Sequence, residues 1–185
     1  MRIIAGQYRG RPLLSPPDGR IRPTSDRVRE AVFNLLAHSA YAIDLDGAAV
    51  IDLFAGSGAL GIEALSRGAG TCLFVETDAT ARGIIRDNID GLGLGGTTRI
   101  FRRDATDLGP TTLPGGYDLA LMDPPYGLGL ADKALAALVS GGWLKPGARV
   151  VVEVRAGSTI TWPAGMAELD LRTYGDTVVR IGRVG

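Results

Sequence analysis

The stretch Asp52-Leu53-Phe54-Ala55-Gly56-Ser57-Gly58-Ala59-Leu60-Gly61 decides how this chain is read. It begins inside an apolar run, residues 48–54, rich in the Ala, Val and Ile that suit a strand buried on both faces. Gly56, Gly58 and Gly61 then match G-x-G-x-x-G, and the apolar segment Ala59–Ser66 reads as a helix. A strand, a glycine turn and a helix in that order open a βαβ unit with a ligand-binding turn.

Downstream, strand and helix patterns alternate. Strands are expected at 71–76, 98–102, Tyr117–Met122 and 149–154, with helices at 79–91 and about 130–140. Two last strands, about 167–174 and 177–183, meet at Tyr174-Gly175-Asp176 with no helix between them. Such alternation implies an α/β fold: a mostly parallel seven-stranded sheet with helices on both faces, closed by an antiparallel C-terminal edge hairpin.

Upstream, residues 24–38 read as a helix capped by Thr24 or Ser25, with Asp26 in its first turn. Val28, Val32, Leu35 and Leu36 form one apolar face, and Arg27, Arg29 and Asn34 fall off it. Residues 1–23 carry short apolar pieces, Ile3-Ile4 and Leu13-Leu14, split by Gly6, Gly10 and the turn-rich Ser15-Pro16-Pro17-Asp18-Gly19. They are expected to form a small β-hairpin arm that leans on the body or on a partner. The division is thus an arm, 1–23, and a domain, 24–185.

Composition narrows the class. With 185 residues, 45% hydrophobic and 22% charged, the chain can bury a sizeable core. Formal net charge is zero, which taken alone argues against a polyanion partner. The zero is a sum of unlike parts. Residues 1–30 hold seven Arg against Asp18, Asp26 and Glu30, a net of +4, and the other 155 residues hold 13 basic and 17 acidic groups, a net of −4. One cysteine, Cys72, rules out an intrachain disulfide framework, and with one histidine, His38, no metal site is expected. No apolar run is long enough to span a membrane, and the start of the chain does not read as a signal peptide. A soluble cytoplasmic protein is expected.

The glycine turn serves two cofactors. A dinucleotide offers a pyrophosphate, which favours backbone N–H groups and no nearby carboxylate. S-adenosylmethionine is cationic and has no phosphate, so acid at the strand end helps it. Asp52, four residues before Gly56, favours the cationic cofactor; Glu76, ending the second strand, serves the ribose of either.

The fourth strand ends in Asp123-Pro124-Pro125-Tyr126, expected at the same sheet edge as the glycine turn. Asp-Pro-Pro-Tyr resembles the D/N-P-P-Y motif of amino methyltransferases, and Asp52-x-Phe54-x-Gly56-x-Gly58 fits the same class. The chemistry accounts for the residue types. An exocyclic amine on a nucleobase is a poor nucleophile because its lone pair is shared with the ring. Asp123 and the Pro124 carbonyl accept its N–H bonds and aim the lone pair; neither proline has a competing N–H. Tyr126 offers a stacking face. The resemblance also implies that Asp104 and Ala105 meet the cofactor adenine, with Phe54, Ala55, Gly56, Gly58, Thr77 and Asp123 around the rest.

Arg2-Ile3-Ile4-Ala5-Gly6, Arg9-Gly10-Arg11 and Arg22-Pro23-Thr24-Ser25-Asp26-Arg27-Val28-Arg29-Glu30-Ala31-Val32-Phe33-Asn34 resemble one family more narrowly. That family is the RsmD-type 16S rRNA guanine-N2 methyltransferases, with a Rossmann-like S-adenosylmethionine-dependent fold. The resemblance covers nearly the whole chain. It implies methylation of a specific guanine in 16S rRNA, the base being flipped into the pocket at residues 123–126. It further implies that Arg9, Arg11, Arg20, Arg22, Arg27 and Arg29 contact RNA. The partner is then the small ribosomal subunit or its late precursor, and a monomer is expected because so bulky a ribonucleoprotein must reach the crevice. The catalytic motif alone also suits DNA adenine-N6 methylation, and the scaffold alone a non-catalytic RNA-binding assembly factor. How Thr24, Arg27, Arg29 and Asn34 divide between cofactor and RNA stays open at this level.

Overall fold

A computed structural model describes residues 1–17 and 25–185. The elements run α1 (Asp26–His38), β1 (Ala49–Leu53), α2 (Ala59–Ser66), β2 (Thr71–Val75), α3 (Ala79–Leu92), β3 (Thr98–Phe101), β4 (Tyr117–Met122), α4 (Leu130–Ser140), β5 (Leu144–Arg155), β6 (Met166–Tyr174) and β7 (Thr177–Val184). Ser25 caps α1, its hydroxyl accepting the Val28 N–H at 3.2 Å, and Asp78 caps α3 through the Ala81 N–H at 2.8 Å.

The seven strands form one sheet in the order β3-β2-β1-β4-β5-β7-β6. The first five pair in parallel, whereas β7 runs antiparallel to both β5 and β6. This is the Rossmann-like methyltransferase arrangement expected above. Chain direction across the sheet reverses between β1 and β4, so a crevice opens at their carboxyl ends. Strand alternation sends Val50, Leu119, Leu121 and Val151 to the layer shared with α1, α2 and α3. Ile51, Leu53, Ala120, Met122 and Val152 go to the layer covered by α4 and Trp143.

Three expectations change. First, β5 begins at Leu144, well before residue 149. Pro146 and Gly147 disguise its opening, and its register against β4 shifts between Tyr117 and Leu119. Second, the expected N-terminal β-hairpin is reduced to one bridge, Arg2 to Pro12. Its loop is held by Ile3 N–H to the Arg11 carbonyl at 3.0 Å and Gly10 N–H to the Ile3 carbonyl at 2.8 Å. The loop packs on the body: Ile3 and Leu13 join the core. Gly6 makes this docking possible, because a Cβ there would lie 1.9 Å from the Ser66 carbonyl oxygen, and its φ is +84°.

Third, Arg29 is not on the surface. Its side chain is 0% exposed, so the expected RNA contact is corrected to an internal tie. It donates to the Arg2 carbonyl and, at 2.8 Å, to Asp26, and lies 3.6 Å from Glu63. Glu63, equally buried on α2, also accepts the Ile4 and Ala5 N–H groups at 2.9 and 3.0 Å and Arg67 at 2.9 Å. Residues 1–17, α1 and α2 are thus joined behind the glycine turn by a buried polar network centred on Glu63. Of the other expected RNA residues, Arg9, Arg11 and Arg27 are exposed. Thr24, Arg20 and Arg22 lie outside the described residues.

Candidate cofactor and amine site

At the carboxyl ends of the strands lies a cavity of about 740 Å3. Its floor is the turn after β1. Phe54, a non-glycine residue, holds φ at +55°, a conformation that side chains disfavour and that surrounding structure must enforce. Gly56 donates its N–H to Glu76 at 2.8 Å, tying the turn to the end of β2. Asp52, 1% exposed, accepts the Gly61 N–H at 2.9 Å and so ties β1 to α2. Gly61 allows that approach: a Cβ there would fall 2.5 Å from Phe74 and 2.6 Å from Cys72 Sγ. The third glycine of the motif therefore serves close helix–strand packing.

The sequence-expected residues come together here. Asp52, Phe54, Ala55, Gly56, Glu76, Thr77, Asp104, Ala105, Asp123, Pro124 and Tyr126 all line the cavity. Gly58 sits just behind them as the left-handed N-cap of α2, φ +82°. Asp52, Phe54, Glu76 and Asp123 come from the ends of β1, β2 and β4, as the crossover geometry dictates.

The electrostatics are lopsided. Among the described lining residues are six carboxylates, Asp52, Glu76, Asp78, Asp104, Asp123 and Glu153, and one guanidinium, Arg103. Burial pushes the Asp52 carboxyl well above the usual range, and the charges of Asp123 and Glu76 push it further, against the Gly61 N–H bond. Asp104 goes the other way: the Thr106 hydroxyl and N–H, at 2.6 and 2.8 Å, hold its carboxyl low. Anionic walls of this kind suit a cation and oppose a pyrophosphate. The donor set fits S-adenosylmethionine and does not fit a dinucleotide.

Three polar wall residues that the sequence reading did not assign to the site stand out. Glu153 and Thr177 are buried on β5 and β7, and Arg103 follows β3. A signal for Glu153 was present, as the lone acid in Val150-Val151-Val152-Glu153-Val154. Trp143 covers the sheet as expected, 0% exposed and stacked on Tyr117.

On the outer side of α1, Arg2, Arg9 and Arg27 surround a hollow of about 290 Å3 with Asp26 and Glu30. Arg11 donates to the Gly91 carbonyl at 2.9 Å. Among the described residues no cluster of side chains suits a metal ion, and no helix is long and apolar enough to cross a membrane.

Comparison with known proteins agrees with this geometry. The family model described as Conserved hypothetical protein 95 matches residues 1–183. A Haemophilus influenzae relative named Ribosomal RNA small subunit methyltransferase D is 35% identical, over 98% of this chain and 92% of its own length. The solved structure of the putative methyltransferase yhhF from Escherichia coli superposes with a TM-score of 0.84 at 32% identity, covering 100% of this chain and 97% of that one. An RNA methyltransferase from Salinibacter ruber, solved with S-adenosyl-L-homocysteine, shares the fold at a TM-score of 0.64 and 18% identity, over 88% of this chain and 93% of that one.

Proposed function

The chain belongs to the Conserved hypothetical protein 95 family, that of the RsmD-type ribosomal RNA small-subunit methyltransferases, and from that premise we propose that it methylates the exocyclic N2 of a guanine in 16S rRNA, using S-adenosylmethionine. One observation carries the reading: Asp123, Pro124 and Tyr126 open into the same acid-lined cavity as the glycine turn. Substrate amine and cofactor thereby share one chamber.

When bound, S-adenosylmethionine supplies an electrophilic methyl group. Its residues here are Asp52, Phe54, Ala55, Gly56, Glu76, Thr77, Asp104 and Ala105, with Gly58 shaping the turn. Asp104, held ionised by Thr106, is suited to accept from an adenine amino group. The Asp123 carboxylate and the Pro124 carbonyl accept the two N–H bonds of the guanine amine. That draws the nitrogen out of conjugation and fixes its direction, so the chain contributes chiefly positioning and electrostatics. The proton that the nitrogen sheds is strongly acidic, and the Asp123 carboxylate is base enough to accept it. Tyr126 stacks on the base, which must leave its helix or loop to reach the cavity.

Arg9, Arg11 and Arg27 hold the RNA backbone, joined in this reading by Arg20 and Arg22. The substrate is the small subunit or its late precursor, and the enzyme acts as a monomer in the cytoplasm. Asp123→Ala tests the proposal. Methyl transfer to unmodified small subunits should fall by about a thousandfold or more, while cofactor affinity stays within about tenfold. Wild-type turnover in that variant would overturn the mechanism.

A further inference from the structure

Three neighbouring strands, β4, β5 and β7, bring Asp123, Glu153 and Thr177 to the wall of the cavity. They face the same way. Leu121, Val151 and Val179 lie in the core layer shared with α1–α3, and each of the three polar residues stands two positions from one of these, on the same face. Leu121 pairs with Val151, which puts Asp123 level with Glu153 on strands about 4.8 Å apart. Glu153 pairs with Val179, so Thr177 stands one step nearer the rim. Glu153 is 5% exposed and Thr177 6% exposed. Glu153 interrupts the run Val150-Val151-Val152-Glu153-Val154 with a carboxylate set on the cavity wall.

We propose that this row reads the Watson–Crick edge of the target guanine, with Glu153 and Thr177 as specificity-determining residues. The inference rests on the guanine-N2 reading above. Guanine presents, in order, the O6 acceptor, the N1–H donor and the N2 amine donor. Thr177, Glu153 and Asp123 answer in order with a hydroxyl donor and two carboxylate acceptors. Adenine and cytosine each place a ring-nitrogen lone pair where Glu153 requires a hydrogen. Discrimination of this kind is strong, because the wrong base leaves an enclosed carboxylate facing a lone pair. The Asp-Pro-Pro-Tyr loop, shared with enzymes acting on other amines, does not supply it.

The test uses the full chain and reconstituted small subunits carrying either guanosine or 2-aminopurine riboside at the methylated position. 2-Aminopurine keeps the amine but lacks N1–H and O6. The wild-type should prefer guanosine by at least about 30-fold in kcat/KM. E153Q, whose amide can donate to a ring nitrogen, should lose at least about 30-fold on guanosine and narrow the preference below about threefold, with cofactor affinity within about threefold. T177V should lose about tenfold on guanosine and leave 2-aminopurine unchanged. A wild-type preference ratio in E153Q or in T177V overturns the inference. So does a more than tenfold loss of cofactor affinity in a folded E153Q, which would place Glu153 against the cofactor. Failure of the wild-type to form N2-methylguanosine would instead overturn the functional reading, and this inference with it.

Discussion

Acidic residues do opposite work on the two sides of helix α2. Behind it, Glu63 is fully buried, and its cations belong to the chain: Arg67 at 2.9 Å and Arg29 at 3.6 Å, with two backbone N–H donors besides. In front of it, the described walls of the cavity carry six carboxylates and the single guanidinium of Arg103. The rear cluster is balanced and fastens the N-terminal segment. The front cluster gathers six carboxylates among its described walls, an arrangement that suits a cationic ligand. A buried acid held by side chains and backbone behind the sheet is a structural element; acids gathered at strand ends on the wall of one cavity mark a candidate binding site.

The comparison can be broken most forcefully from behind. Glu63→Ala should cost about 3 kcal/mol in stability, because it takes a buried carboxylate from Arg29 and Arg67 and leaves two backbone donors unmatched, although Asp26 still pairs with Arg29. Denaturant unfolding measures this. Turnover per folded molecule should stay near wild type, and a stable E63A protein would remove the distinction drawn here. For the same reason, point substitutions are the cleaner probe of the N-terminal arginines. A deletion of the segment would also take Ile3 and Leu13 from the core, each worth about 1.5–3 kcal/mol of burial.

From the front, Asp52→Asn should act in two directions. The folded state raises the Asp52 carboxyl, so its share of stability is present in acid and is lost as pH rises through the raised value. Replacing it with a neutral isostere should therefore stabilise the ligand-free protein by about 1 kcal/mol at neutral pH. Cofactor affinity should fall by about tenfold or more, since a nearby anion is gone. In the wild-type, cofactor affinity should weaken as pH falls and Asp52 takes up its proton; in D52N that dependence should shrink. Calorimetric titration across pH checks both, and tighter binding by D52N would contradict the assignment.

The smallest effect belongs to the outer surface. Arg9→Ala or Arg27→Ala should weaken small-subunit binding by a few-fold and reduce the salt dependence by about one unit of slope each. Cofactor binding should not change. An unaltered salt slope would separate the hollow beside α1 from RNA contact.

Local signals made much of this legible in the sequence. Helix α2 and strand β4 have the expected bounds, because runs that are mostly apolar are flanked there by turn residues. The residues of the cavity's floor were readable too, since topology brings strand ends together whatever their separation in the chain. What stayed hidden depends on distant partners. Arg29 falls off the apolar stripe of α1 and reads as solvent-facing; only Glu63, on another helix, and the folded-back N-terminus bury it. Glu153 sits in a run of valines and reads as strand, because its partners across the sheet, on β4 and β7, come from elsewhere in the chain. The N-terminal strands failed to form because their apolar residues pack into the body rather than against each other.

The most direct test of the central claim is methyl transfer itself. The full chain is incubated with methyl-labelled S-adenosylmethionine and unmodified small ribosomal subunits, and the RNA is digested to nucleosides. The account predicts label in N2-methylguanosine, from one site in 16S rRNA. Label in a methylated adenine or cytosine, or none in the RNA, would contradict it.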